Sequence, residues 1–77
     1  MKTYIFRAEL EQDEDGRWSA WIDALPGCAA WGPNKEEALR SLKDAAEAYL
    51  EDVIEAGKEI PVSEVKAVNT PVVTVTL

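Results

Sequence analysis

Between Leu25 and Leu39 the chain reads LPGCAAWGPNKEEAL. Pro26-Gly27 has the makings of a tight turn: proline presets the backbone of one central position, and glycine accepts the positive φ of the next. Cys28 to Trp31 is then long enough for a short strand, and Gly32-Pro33 ends it. Asn34 stands where a helix N-cap belongs. Glu37 follows three residues later, where its side chain can reach back to the cap amide, a capping-box arrangement with Asn in place of Ser or Thr. Turn, strand, turn and helix start follow one another in one stretch, and the flanking sequence has to fit that order.

Upstream, the residues alternate from Thr3 to Glu11. Tyr4, Phe6, Ala8 and Leu10 fall on one side, with Thr3, Arg7, Glu9 and Glu11 on the other. A period of two marks a strand with one buried face. Gln12-Asp13-Glu14-Asp15-Gly16 is a polar loop closed by glycine, as an antiparallel hairpin uses. Arg17 to Asp23 alternates again, with Trp18, Ala20 and Ile22 sharing the core side.

Downstream, Ala38, Leu39, Leu42, Ala45, Ala46, Tyr49, Leu50, Val53 and Ile54 recur at spacings of three and four, the apolar stripe of one long helix. Gly57 can take the left-handed conformation that ends it, and Pro61 lies just beyond. Lys58 to Thr70 reads as a connector, and Val72 to Leu77 as a final alternating strand. The order β-β-β-α-β predicts an α+β domain: a single, mainly antiparallel sheet with the helix packed on one face. Ala29 and Ala30 are small enough to let that helix lie close over the third strand. The position of the last strand is not encoded in the pattern. At a sheet edge its free backbone groups are available to a second chain; pairing within the monomer is the first expectation for this strand and a contact between copies the second. A homo-oligomer, dimer or tetramer, is expected, and an orphan homo-oligomeric regulatory or structural domain, held by this strand or by the outer sheet face, is an alternative function.

The 77 residues allow one domain, 1–77, with no separate DNA-binding domain. There is one cysteine and no histidine. A disulfide within the chain and a Cys/His zinc site are both excluded. The opening MKTYIFRAELEQ turns polar too soon for a signal peptide or a membrane span, which points to the cytoplasm. Fifteen acidic against eight basic residues give a net charge of −7. Such a chain repels nucleic acid at long range and attracts basic proteins.

Little in the sequence carries catalysis. Cys28 has no histidine to activate it and small apolar neighbours, which predicts a buried, inert thiol. The four glycines are isolated and form no phosphate loop. Glu9, Glu11 and Asp23 lie on neighbouring hairpin strands, and a magnesium-dependent nuclease built on them is the enzymatic alternative. The leading expectation is no catalytic residue, no metal and no cofactor. The three tryptophans are more informative. Trp18 has core parity. Trp21 has the opposite parity and shares the outer side with Ile5, Arg17, Ser19 and Asp23. It forms a contact surface there or covers the stems of Arg7 or Arg17. Trp31, just before the Gly32-Pro33 turn, plugs the end of the core or joins that surface.

Taken together, these residues resemble the HicB antitoxin family in its short, stand-alone, partial RNase H-like form. The marks are the Tyr4 strand, the acidic Glu11–Gly16 hairpin followed by Trp18, and LPGCAAWG at 25–32. Glu36-Glu37-Ala38-Leu39, AAEAYL at 45–50 and the Gly57–Pro61 exit complete them, over residues 3 to 62. The resemblance implies a domain that binds and silences a HicA-like toxin, a small basic RNA-cleaving protein. Full-length members carry a further helix-turn-helix or ribbon-helix-helix segment, for which 77 residues leave no room. The residues expected to meet a partner are Ile5, Glu9, Glu11, Trp21, Asp23 and Trp31. Gly16, Pro26, Gly27, Gly32, Asn34 and Gly57 are expected to serve turns and caps.

Overall fold

The structure, a computed structural model, describes residues 2–60 and 71–77. Six elements follow in order: β1 (Thr3–Arg7), β2 (Glu9–Gln12), β3 (Trp18–Trp21), β4 (Ala29–Gly32), α1 (Lys35–Glu55) and β5 (Val72–Thr76). The α+β class and the crossing helix are as the sequence implies. The first strand differs, because it is divided at Ala8. Its first half pairs antiparallel with β5, and its second half pairs with β3, which in turn pairs with β4. The expected single sheet is therefore two hydrogen-bonded pieces joined through Ala8.

Hydrogen-bond parity explains the division. Lys2 and Leu77 exchange amide bonds at 2.8 and 2.9 Å, and the Ala8 N–H donates to the Pro71 carbonyl at 2.9 Å. Even-numbered residues of the first strand thus aim their backbone groups at β5. The Asp13 N–H donates to the Arg17 carbonyl at 2.7 Å, so odd-numbered residues aim at β3. Successive residues of a strand bond to opposite sides. Strands β5 and β3 therefore flank the same extended run, staggered along its length. The side-chain alternation survives the change of partner: Phe6 and Ala8 are both buried.

The turns obey local chemistry. The Gly16 N–H donates to the Asp13 carbonyl at 2.9 Å, and Gly16 has φ +91°. The Cys28 N–H donates to the Leu25 carbonyl at 2.9 Å across Pro26-Gly27, with Gly27 at φ +84°, as a turn with Pro then Gly at its centre requires. Asn34 caps α1, its Oδ1 accepting from the Glu37 N–H at 2.9 Å. The return half of the capping box is not made: the Glu37 carboxylate meets Arg40 Nη1 at 3.4 Å instead. At the other end Gly57 (φ +73°) donates to Ile54 and Lys58 to Val53, both at 3.0 Å, the paired bonds of a Schellman motif. The expected Pro61 stop and most of the Lys58–Thr70 connector lie outside the described residues.

The core lies between α1 and the inner sheet face. Ala38, Leu42, Ala46 and Leu50, one every four residues, are buried against Phe6, Ala8, Ala20, Ile22, Leu25, Cys28, Val73 and Val75. Each large member of this set contributes about 1.5–3 kcal/mol by leaving water. Two sequence expectations shift at the margins. Trp18 is half-buried at the rim, with Lys35 Nζ 4.8 Å from its ring centre. Ile54, expected in the stripe, is 50% exposed, one turn past the last buried helix position.

Candidate protein-binding face

Helix α1 covers only one side of the sheet, and cross-strand pairing defines what the other side presents. Directly opposed residues share a face. One row runs Glu9, Trp21, Ala29 and the next runs Glu11, Ser19, Trp31. On the β1–β5 piece, Ile5 faces Thr74 and Arg7 faces Val72. The matching inner rows are Leu10, Ala20, Ala30 and Gln12, Trp18, Gly32. Ala29 therefore points outward, contrary to expectation. The helix packs closely because of Ala30 and Gly32.

Three of the four large apolar residues exposed among the described residues lie on this outer side: Trp31 at 61%, Ile5 at 47% and Val72 at 43%. Trp31 is thus a surface residue and not a core plug. Trp21 is half-buried beside it. Its indole Nε1–H donates to Asp23 Oδ1 at 3.2 Å, which fixes the ring's tilt. The cationic stacking on this face is Arg17 on Trp31, its Cζ 5.2 Å from the Trp31 ring centre. The same guanidinium bonds Asp15 Oδ2 through Nε at 2.8 Å, and the Arg17 amide bonds Asp15 Oδ1 at 3.1 Å. The backbone and side chain of Arg17 hold the Asp15 carboxyl below its ordinary range.

All six residues expected at a contact surface lie on or beside this one face. Sequence reasoning missed Val72, and it put Arg17 on this side without pairing it with Trp31. The alternation of residues 72–77 gave Val72 a face, but only pairing with β1 sets it beside Arg7 and near Ile5.

Two of the three carboxylates on this side already have side-chain partners. Glu9 pairs with Arg7 Nε at 3.1 Å, and Asp23 is bound to Trp21. Among the described residues no three His, Cys, Asp or Glu side chains converge. Glu9, Glu11 and Asp23 are therefore not the cluster that the nuclease alternative needs. Cys28 is buried, and desolvation pushes its thiol above the ordinary value. No described helix is long and apolar enough to cross a membrane.

Known proteins agree with this architecture. The N-terminal domain of the Burkholderia pseudomallei antitoxin HicB superposes with a TM-score of 0.69 at 17% identity, covering 95% of this chain and 96% of that one. The longer HicB structure from the same organism gives 0.65 at 16% identity, with this chain spanning 64% of its length. At these identities the likeness concerns the fold. In sequence, a UPF0150 protein of Helicobacter pylori is 38% identical over 68 residues, covering 88% of this chain and 92% of its own. One from Thermoplasma acidophilum is 40% identical over 52 residues, covering 68% and 75%. Residues 6–72 match the family described as the HicB_like antitoxin of bacterial toxin-antitoxin systems. The chain belongs to the HicB-like antitoxin family.

Proposed function

We propose that this chain is a protein-binding antitoxin module whose outer sheet face docks on a small, basic, HicA-type mRNA-cleaving toxin and covers its RNA-binding surface. The observation that carries this reading is the mixed character of that face. Ile5, Val72, Trp21 and Trp31 supply apolar area, and Glu9, Glu11 and Asp23 supply negative charge around it. An aromatic centre with a charged rim is the composition of a hot-spot interface. A surface that binds RNA phosphates is positive, so an acidic protein of charge −7 competes for the same patch and meets it faster at low salt.

Inhibition in this scheme is steric and electrostatic. No bond is made or broken by the antitoxin, and Cys28 and the carboxylates take no chemical part. The test is reconstitution with the product of the adjacent open reading frame. The proposal expects co-elution on gel filtration and loss of RNA cleavage at equimolar antitoxin. A small basic neighbour that cleaves RNA but neither co-elutes nor is inhibited contradicts it.

A further inference from the structure

Two tryptophans of the outer sheet face are tied from opposite ends, and the space between them is open. The Ile22 N–H donates to the Cys28 carbonyl at 3.2 Å, which sets the parity of the β3–β4 ladder. Ser19 then lies opposite Trp31, and Trp21 lies opposite Ala29. Trp31 therefore has two diagonal neighbours across the ladder, Arg17 toward one end and Trp21 toward the other. The Arg17 guanidinium stands over one face of the Trp31 ring, with Cζ 5.2 Å from its centre. The opposite face of that ring is turned to the Trp21 side. Ser19 and Ala29, both small, form the floor between the two indoles. Ala29 is exposed although Trp21 lies opposite it and Trp31 two residues along, so neither ring covers it.

We infer that this gap is a slot for one arginine side chain of a basic partner. Diagonal neighbours on a sheet face stand about 7–8 Å apart. A flat group packed between two rings needs about 3.5–4 Å on each side, which matches that spacing. A guanidinium is flat, weakly hydrated and stacks on aromatic faces, whereas a lysine ammonium is a compact, strongly hydrated charge.

Both walls are held before the guest arrives. Trp31 is held through Arg17, whose Nε bonds Asp15 Oδ2 at 2.8 Å. Trp21 is held by its own Nε1–H on Asp23 Oδ1 at 3.2 Å. Groups fixed in advance lose less freedom on binding. Charge selects the guest as well. Asp15 offsets the resident guanidinium, and the Trp31 ring separates it from the incoming one. Asp23 is exposed, and its second oxygen has no side-chain partner among the described residues, which leaves it to accept from the guest's N–H groups. The slot names the side chain that the docking face takes, and it rests on the toxin reading only for the partner's identity.

The free chain tests the slot without any toxin. N-acetyl-arginine amide is titrated into isotope-labelled protein, and the indole N–H signals, assigned with Trp→Phe variants, are followed by NMR. The Trp21 and Trp31 signals should shift and saturate. Trp18, on the inner side with Lys35 Nζ 4.8 Å from its ring centre, should stay in place. N-acetyl-lysine amide should bind more weakly, and N-acetyl-citrulline amide, flat but uncharged, should not bind. Ala29→Leu fills the floor with both rings in place and should abolish the response. Trp31→Leu keeps apolar bulk without an aromatic face, should abolish the Trp21 shift, and decides the matter should the Ala29 variant fail to fold. Both replace exposed side chains, so circular dichroism should stay native. An arginine response that is absent, that citrulline equals, or that survives either substitution in a folded chain overturns the inference. A toxin that ignores a chain whose slot takes arginine removes the docking reading and leaves the slot. A toxin that binds a chain with no arginine response removes the slot alone.

Discussion

Gly32 lies so close beneath the first turn of α1 that a Cβ built on it would stand 2.6 Å from the Ala38 amide nitrogen and 2.9 Å from the Glu37 carbonyl carbon. Both neighbours are backbone, and the helix N-terminus cannot retreat without pulling the Asn34 cap and the buried Ala38 with it. Gly32→Ala should therefore cost about 1–3 kcal/mol. For a domain of this size that lowers the thermal midpoint by about 4–8 °C per kcal/mol, measured by circular dichroism melting. An unchanged midpoint would mean that the helix is free to shift at its start.

The cap itself is separable from that contact. Asn34 Oδ1 satisfies the Glu37 N–H, and Glu37 gives no return bond. Asn34→Ala should cost about 1 kcal/mol, while Asn34→Gly should cost only a few tenths, because glycine leaves the amide open to water. Urea denaturation of the two variants checks the order.

Burial in the turn between β3 and β4 sets the behaviour of Cys28. Its thiol is held above the ordinary value of 9.0 by desolvation. As pH rises, the unfolded chain loses this proton first, so the unfolded state binds fewer protons and stability falls. The stabilising difference is whole below the unfolded value and is lost as pH climbs through the folded one. From about pH 8 upward, where an unfolded thiol begins to lose its proton, the stability of the native chain should decline more steeply than that of Cys28→Ala. Maleimide should label Cys28 in the folded protein only at the rate of local opening.

The boundary between what the sequence declares and what only the structure supplies has a physical origin. Alternation placed Phe6, Ala8, Ala20 and Ile22 inward and Ile5 and Trp21 outward, because one buried face imposes a period of two. The stripe of α1 and the Asn34 cap followed from helix geometry in the same way. Pairing partners leave no such trace, so the change from β5 to β3 at Ala8 was invisible. The parity of β4 hangs on the Ile22–Cys28 bond, and without it Ala29 was assigned to the helix side. Gly32 read as a turn residue, yet its φ is not positive and the reason for glycine is the close approach of Ala38. The fate of Trp31 depended on that same parity.

If the outer sheet face seats the toxin, it must also discriminate between the two sides of the domain. The most direct measurement is titration of the adjacent gene's toxin by calorimetry with the native chain, Trp21→Ala and Lys43→Ala. Lys43 is exposed on α1, away from the outer sheet face. Trp21→Ala should weaken binding by about 30-fold or more, as removal of a hot-spot aromatic does, and restore RNA cleavage, while its circular dichroism stays native. Lys43→Ala should bind like the native chain. Full affinity in Trp21→Ala together with lost affinity in Lys43→Ala would place the toxin on the helix and contradict the account.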